Sequence, residues 1–324
     1  DTLPYARDFM QIILLGTPIT YVMIGLNNVM RATGYPKKAM LSSILTVGCN
    51  IALAPVFIFV FDWGMRGAAF ATICSQTIGL VWVLSHFFNR NTYIRFRKAS
   101  MRLKTRIVRT IFSIGMSPFF MNVCACCVVI FINHRLLTYG TDMSVGAFGI
   151  LNRVQMLFVM VVMGLAQGIQ PIAGYNYGSG QWNRVKQTIR KGIIVASSIT
   201  TLGCLCCVFV PQMFVGMFTD NPELSKQSVT ALRFGMAMFP FVGSQIIICQ
   251  FFQSIGKAGI AIFLSLSRQL VFLLPGLALL PLWMDVDGIW MSMPISDLLA
   301  AITATAMYAW QMRRFNKNTT GTLA

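Results

Sequence analysis

The amino-acid sequence has 324 residues, of which 56% are hydrophobic and 11% charged, whereas soluble domains average about 45–50% apolar and about 25% charged residues. A mean hydropathy of +0.68 leaves too little polar surface to coat a water-soluble body, and the composition excludes a disordered chain, a collagen-like fibre and a disulfide scaffold. The formal net charge of +17 is typical of nucleic-acid binders, but the positions of the basic residues along the chain exclude that class.

Nine apolar segments are long enough to cross about 30 Å of hydrocarbon as α-helices. They are predicted at residues 9–30, 40–61, 67–88, 107–133, 144–170, 189–216, 229–252, 259–283 and 288–311. Helices are predicted because a helix satisfies its own backbone hydrogen bonds in lipid. The predicted fold class is therefore an all-α polytopic membrane protein with nine transmembrane helices.

The joints between these helices alternate in charge. One set holds 19 of the 26 basic residues and the other set holds eight of the nine acids. Such alternation is the positive-inside bias, which predicts that the basic joints and the C-terminus face the cytoplasm and residue 1 lies outside. The positive charge therefore indicates membrane topology, and no nucleic-acid partner is expected.

A sequence repeat relates the first three predicted helices to the last three. Pro18 and Gly34 are 16 residues apart, as are Pro240 and Gly256, and the hairpins at 62–67 and 283–288 match at a shift of 221. Parallel repeats of helical bundles are typical of secondary transporters, with the substrate between the bundles. The repeat predicts a 6+6 parent fold that has lost three N-terminal helices. Residues 1–88 would end the first bundle, residues 89–106 form a basic cytoplasmic linker, and residues 107–318 form a complete second bundle.

Several runs of residues resemble one transporter family. They are Arg31-Ala32-Thr33-Gly34-Tyr35-Pro36, Asn50, Gly64-Met65-Arg66-Gly67-Ala68-Ala69-Phe70-Ala71-Thr72, Gly164-Leu165-Ala166-Gln167-Gly168-Ile169-Gln170-Pro171 and Gly174-Tyr175-Asn176-Tyr177-Gly178-Ser179-Gly180. In order and spacing they resemble the MATE family of multidrug and toxic-compound extrusion transporters, in its bacterial DinF/MepA-like branch. The resemblance implies two six-helix bundles that export cationic or amphipathic organic compounds by antiport with sodium ions or protons.

The resemblance also implies a cation site in the first bundle. Asn50 and Thr72 match its asparagine and threonine, whereas Ala54 stands where the family pattern has an aspartate. The matching first-helix acid would precede residue 1. The choice between sodium and proton coupling is therefore open.

Asp297 and Arg268 are charged residues deep within predicted helices. Each lies about nine residues into its span, about 14 Å deep, so adjacent helices bring opposite charges to one level. Charged residues at this depth are costly and mark either a transport pathway or a pair. Two interpretations are open: a cation-coupling carboxylate, or a structural ion pair between two helices.

Other polar or adaptable residues within the spans are candidates for contacts with substrate. They are Arg153, Asn122, Gln155, Gln167, Gln170, Gln245, Gln250, Met156 and Met160. Interhelical hydrogen bonds explain the amides equally well, and core or lipid-facing packing explains the methionines.

The sequence favours a monomeric secondary antiporter of a bacterial plasma membrane with small drug-like substrates and no cofactor apart from its coupling ion. The alternative is a flippase of lipid-linked precursors with related architecture, which would require a more cationic cavity. An enzyme is not expected because no P-loop, nucleophile elbow or H-E-x-x-H motif occurs in the sequence. No metal site is expected either, since the nine cysteines lie in apolar spans without histidine at ligand spacing.

Overall fold

The computed structural model describes residues 3–89, 94 and 103–321, except for the side chains of residues 3, 113–114, 117–118 and 316–321. The chain divides into two units, Asp1–Lys104 and Thr105–Ala324. Within the described residues every regular element is a helix, so the predicted all-α class is confirmed. The predicted linker 89–106 lies largely outside the described residues.

The first unit contains three long helices. They are α1 (Leu3–Ala32), α2 (Pro36–Pro55), which continues as a π-helical turn (Val56–Val60), and α3 (Gly64–Phe88). A small buried cluster of Met30, Ala39, Val83 and Phe87 joins all three helices. Much of the remaining apolar surface of these helices is exposed, as expected for segments whose solvent is lipid.

The second unit contains the remaining helices. They are α4 (Thr105–Tyr139), α5 (Asp142–Gly178), α6 (Trp182–Phe209), α7 (Pro211–Val215), α8 (Pro222–Met236), α9 (Phe239–Ser254), α10 (Ala258–Leu266), a π-helical turn (Ser267–Leu273), α11 (Leu274–Leu279) and α12 (Pro281–Gly321). Its interior has two apolar clusters. Leu151, Leu232 and Trp290 belong to one cluster, and Ile247 and Phe252 belong to the other.

By length and composition, eight of the described helices can cross a membrane, or nine if the bent pair α8 and α9 forms one span. The protein is therefore a multi-pass membrane protein, as the sequence predicts. The predicted seventh span at 229–252 corresponds to α8 and α9, which meet at a bend of 51°. Pro240 lies two residues into α9 and has no amide hydrogen for the carbonyl of Met236, which weakens the helix at this point.

The sixth span also differs from its predicted bounds of 189–216. Helix α6 ends at Phe209, and a separate short helix begins at Pro211. Proline disfavours helical backbone in the residue before it, and Val210 accordingly adopts φ −127° and ψ 51°. The predicted hairpin at 283–288 is tighter than expected, because helical turns flank a single non-helical residue, Asp285.

The repeat seen in the sequence has local structural counterparts in each unit. Gly34 and Gly256 both have positive φ, 91° and 76°. In each turn the next amide bonds back to a carbonyl five residues earlier, from Tyr35 to Met30 at 3.1 Å and from Lys257 to Phe252 at 2.9 Å. This is the Schellman end of a helix, which glycine forms without steric cost.

The two hairpins share a second feature. Asp62 and Asp285 both have positive φ, 53° and 47°. A Cβ atom at Gly67 would lie 2.4 Å from the carbonyl oxygen of Phe57, and one at Gly288 would lie 2.5 Å from that of Leu280. Both glycines therefore allow a helix start to approach the end of the preceding segment closely. The repeat is thus a repeat of turn geometry as well as of residues.

Candidate coupling site and cavity

Arg268 and Asp297 form an ion pair inside the second unit. Arg268 Nη2 lies 2.7 Å from Asp297 Oδ1, and Arg268 Nε donates to the same oxygen at 2.8 Å. The Asp297 side chain is 4% exposed and that of Arg268 is 36% exposed. The sequence prediction that these charges meet at one depth is therefore matched by the geometry, although the pair's role stays a prediction.

The local helix geometry explains why Arg268 reaches this position. Arg268 belongs to the π-helical turn Ser267–Leu273, whereas Asp297 lies in α12 three residues after Pro294. A π-helical turn inserts an additional residue into a helix and is frequent at functional sites. Here the wider turn allows Arg268 and the following Gln269 to line the same cavity.

The ion pair lies on the wall of a cavity of about 190 Å³. Its polar lining residues are Asn152, Gln155, Arg268, Gln269, Ser296 and Asp297. Side chains of α4 and α5, among them Val128, Ile132 and Phe148, form an apolar wall. The cavity therefore combines one compensated charge pair with neutral hydrogen-bonding groups and an apolar surface.

Two amides give this cavity its hydrogen-bonding character. Gln155 Nε2 donates to the carbonyl oxygen of Gly235 at 3.0 Å and so connects α5 to α8. The Oε1 atom of Gln269 is buried and has no hydrogen-bond partner in the described part of the chain. Since an unsatisfied buried acceptor costs about 1–3 kcal/mol, this atom is a candidate to accept from water, a protonated group or a ligand.

The first unit brings together the other two predicted coupling residues. Asn50 Nδ2 donates to Thr72 Oγ1 at 3.3 Å, and the Thr72 hydroxyl donates to the carbonyl oxygen of Ala68 at 2.9 Å. One turn further along α3, Gln76 Oε1 accepts from the Thr20 hydroxyl. Gln76 occupies the repeat position of Asp297, so the same position holds a neutral hydrogen bond in one unit and a charge pair in the other.

The predicted substrate-contact residues are dispersed over the second unit. Of the nine, Gln155 alone lines the cavity at Asp297. Arg153, Met156 and Met160 lie on an exposed face of α5, and Asn122 and Gln167 are also exposed. Gln170 and Gln250 are half-buried and Gln245 is buried, and the buried Oε1 atoms of Gln245 and Gln250 have no hydrogen-bond partner in the described residues.

Sequence reasoning missed Asn152, Gln269 and Ser296 as lining residues of this cavity. Gln269 and Ser296 are each adjacent to a member of the ion pair, and Asn152 lies three residues before Gln155 on α5. Helical spacing of three residues places Asn152 and Gln155 on the same face. That spacing was a usable signal, whereas the orientation of Gln269 depends on the π-helical turn, which the sequence does not indicate.

Comparison with known proteins identifies the family. The family model described as MatE matches residues 110–277, which is more than half of the chain. The chain belongs to the MatE family. The resemblance noted in the sequence is thereby confirmed, and the protein is a MATE family transporter.

The chain is also similar to curated members of the family. It is 27% identical over 305 residues to the multidrug export protein MepA of Staphylococcus haemolyticus strain JCSC1435, covering 94% of this chain and 67% of MepA. MepA of Staphylococcus aureus strain MRSA252 is 24% identical over the same coverage. These similarities place the chain in the MepA-like branch of the MATE family.

Solved structures agree on the fold. A MATE crystal structure in the bent conformation has a TM-score of 0.89 at 22% identity, covering 97% of this chain and 70% of that chain. An outward-facing multidrug resistance MATE transporter of the MOP superfamily has a TM-score of 0.90 at 21% identity, covering 95% of this chain and 69% of that chain. The chain therefore has the fold of MATE transporters over nearly its whole length.

Proposed function

We propose that this MATE protein exports cationic or amphipathic organic compounds across a bacterial plasma membrane by antiport with sodium ions or protons. Two of its relatives are named multidrug export proteins. The observation that carries the proposal is Asp297, a buried carboxylate of a membrane-spanning helix whose charge is balanced by Arg268 at the wall of a cavity with both polar and apolar lining residues. We further propose that the protein acts as a monomer, with residue 1 outside and the C-terminus in the cytoplasm.

The mechanism follows from the two partners available to Asp297. In one state Arg268 neutralises the carboxylate, and in the other a proton or sodium ion takes that role and releases the guanidinium group. Binding of an ion shifts a conformational equilibrium only if the two conformations differ in affinity for it. Because Arg268 lies in a π-helical turn and Asp297 in α12, exchange of partners changes the contact between these two segments.

The Asn50 and Thr72 pair is a second candidate for the coupling ion. Amide and hydroxyl oxygens are suitable ligands for hard cations, and the two side chains are already in contact. No carboxylate occupies position 54, where Ala54 stands. A sodium ion held by this pair would therefore need additional oxygen ligands from outside these residues.

The flippase alternative is less favoured by the charges at this depth. A pyrophosphate headgroup needs uncompensated cations, and the pairing of Arg268 with Asp297 removes one of the two mid-depth arginines from that role. Of the two mid-depth arginines, Arg153 then remains as the candidate to bind a pyrophosphate headgroup. The geometry therefore favours export of cationic or amphipathic compounds.

Transport by reconstituted vesicles tests the proposal. The protein in proteoliposomes should accumulate a lipophilic cationic dye when a sodium or proton gradient is imposed, and comparing the two gradients identifies the coupling ion. Asp297→Asn should reduce the gradient-driven rate by at least about tenfold, as for loss of an obligatory charge contact worth about 1.4 kcal/mol or more. Asp220→Asn, at an exposed carboxylate of a turn, is the control and should transport at the wild-type rate.

Wild-type transport by Asp297→Asn would show that the pair is structural and would remove Asp297 from coupling. If neither gradient drives dye transport by the unaltered protein, the export proposal itself is contradicted.

A further inference from the structure

Two basic residues of the second unit lie beside one tryptophan at the ends of its helices. Lys257 Nζ is 5.6 Å from the centre of the Trp310 ring, and Arg314 Cζ is 6.0 Å from the same centre. We call Lys257, Trp310 and Arg314 the basic edge cluster. Lys257 lies in the turn between α9 and α10, whereas the other two residues lie near the C-terminal end of the candidate membrane span Pro281–Phe315 in α12.

Neither charge of the basic edge cluster forms an ion pair with an acid in the part of the chain that the structure describes. Two ion pairs occur among the described residues, and neither involves Lys257 or Arg314. The acids of the second unit other than Asp297 are Asp142, Asp220, Glu223, Asp285 and Asp287. They lie at the starts of α5, α8 and α12, which is the opposite end of these helices by chain order. No acid of this unit is therefore available to the cluster.

The lysine is held in place rather than left to move in solvent. Its Nζ donates to Gln311 Oε1 at 2.5 Å, and Gln311 is 1% exposed. Burial, followed by the charge of Arg314, lowers the pKa of the Lys257 ammonium from its ordinary value. The protein thus keeps two positive charges close together at an energetic cost, which a bound anion would offset.

A packed aromatic group supports the cluster from within the unit. Phe315 is 2% exposed and stacks on Trp182 with ring centres 4.9 Å apart, and Tyr177 and Phe251 also contact it. This packing fixes the last turns of α12 against α5, α6 and α9. The positions of Trp310 and Arg314 are therefore set by the core, as a binding site requires.

We propose that the basic edge cluster binds the phosphodiester headgroup of an anionic phospholipid. Trp310 is 52% exposed and lies next to the charges, and tryptophan at the ends of membrane helices occupies the headgroup level. Basic pockets between membrane helices are suited to anionic headgroups, and the adjacent α10 begins at Ala258 without a side-chain cap. A lipid is favoured over a soluble anion because its acyl chains can cover the exposed face of Trp310 while its phosphate contacts both cations.

Titration of the detergent-purified full chain with phosphatidylglycerol tests this site, with the unfolding midpoint and native mass spectrometry as readouts. Phosphatidylglycerol should raise the midpoint of the unaltered protein and remain bound in the spectrometer, whereas phosphatidylcholine should do neither. Arg314→Gln should need about fivefold more lipid for half of the effect, as expected for one basic residue near an anionic headgroup. Lys257→Gln combined with Arg314→Gln should need about 25-fold more if the two contributions add.

Two further variants separate lipid binding from general charge or folding. Lys38→Gln removes a lysine that lies 5.3 Å from the Tyr35 ring centre in the first unit, and it should titrate like the unaltered protein. Arg314→Lys keeps the charge and should restore most of the response, which excludes a folding defect as the cause. Equal responses of Arg314→Gln and Lys38→Gln would overturn the proposal. If inorganic phosphate raises the unfolding midpoint as much as phosphatidylglycerol does, the cluster binds a soluble anion and the proposal of lipid binding is overturned.

Discussion

At the scale of single residues, the ion pair between Arg268 and Asp297 is the most consequential contact of the second unit. Two of the three guanidinium nitrogens of Arg268, Nε and Nη2, contact one oxygen of a nearly completely buried carboxylate. Removal of one partner leaves the other in a site that water cannot fully solvate. A buried pair broken in this way is more damaging to stability than its net contribution suggests.

A double-mutant cycle measures that coupling. Arg268→Gln leaves the buried carboxylate of Asp297 without its partner and should lower the free energy of unfolding by about 3–5 kcal/mol, whereas Asp297→Asn leaves the partly exposed guanidinium group and should lower it by less. The double variant should lose less than the sum, with a coupling energy of about 0.5–3 kcal/mol. Unfolding in detergent, followed by intrinsic fluorescence, measures each value. Additive losses would show that the two side chains do not depend on one another.

The pair was accessible to sequence reasoning because charge in a membrane helix is rare and depth follows from counting residues. The contact between Asn50 and Thr72 came instead from the resemblance, and the structure places these two side chains together. Gln269 was missed, since its orientation depends on a π-helical turn. Composition and spacing therefore predict which polar or charged residues within membrane helices are candidates for function. Irregular backbone, such as a π-helical turn, determines which of the adjacent side chains line the same cavity.

At the scale of helices and turns, the hairpins of the two units are the clearest shared feature. Gly67 and Gly288 lie 221 residues apart, and each faces a backbone carbonyl group. Because that group belongs to the chain and not to a flexible side chain, it cannot move aside without shifting the helix. Each position therefore requires glycine for a steric reason.

Alanine substitution tests this requirement. Gly67→Ala and Gly288→Ala should each destabilise the protein by about 1–3 kcal/mol, the typical cost of forcing a methyl group into a packed site. Gly168→Ala is the matched control, since a Cβ atom there meets nothing within 4 Å and α5 is helical around it. The control should be neutral or stabilising by up to about 1 kcal/mol. Thermal unfolding midpoints of the three variants measure these effects. Equal midpoints for Gly67→Ala, Gly288→Ala and the control Gly168→Ala would contradict the steric argument.

Helix ends were the weakest part of the sequence prediction. The apolar pattern continues through 189–216 and 229–252, so hydropathy alone predicts one uninterrupted helix for each segment. Pro211 and Pro240 interrupt these two apolar segments and mark the starts of α7 and α9. Hydrogen-bond geometry, and not hydrophobicity, determines where a helix ends. The positions of these prolines were visible in the sequence, but the size of the bend was not.

At the scale of the whole molecule, the distribution of charge is predicted to set the orientation in the membrane. The turn between α5 and α6 is followed by several basic residues, whereas acids precede α8. The positive-inside bias therefore predicts that Ser179 faces the cytoplasm and Asp220 the outside. Both residues are exposed, so each can report on its side of the membrane.

Cysteine labelling in intact cells tests this orientation. In a background in which the nine native cysteines are replaced, Asp220→Cys should react with a membrane-impermeant maleimide before the cells are permeabilised. Ser179→Cys should react after permeabilisation only. The reverse pattern would contradict the predicted orientation. Labelling of both positions in intact cells would show that α6, the candidate span between them, does not cross the membrane.

The bend between α8 and α9 has a consequence for how forces pass through the second unit. A straight helix transmits a displacement along its axis from one end to the other. A helix with a bend converts part of that displacement into a change of the bend angle. Helix α8 and the start of α9 share one apolar cluster, with Leu232 and Phe239 in it, whereas Phe252 in the later turns of α9 belongs to the other cluster. The first cluster spans the joint at Met238, so we expect a change of angle there to displace the later turns of α9 and the second cluster relative to α8.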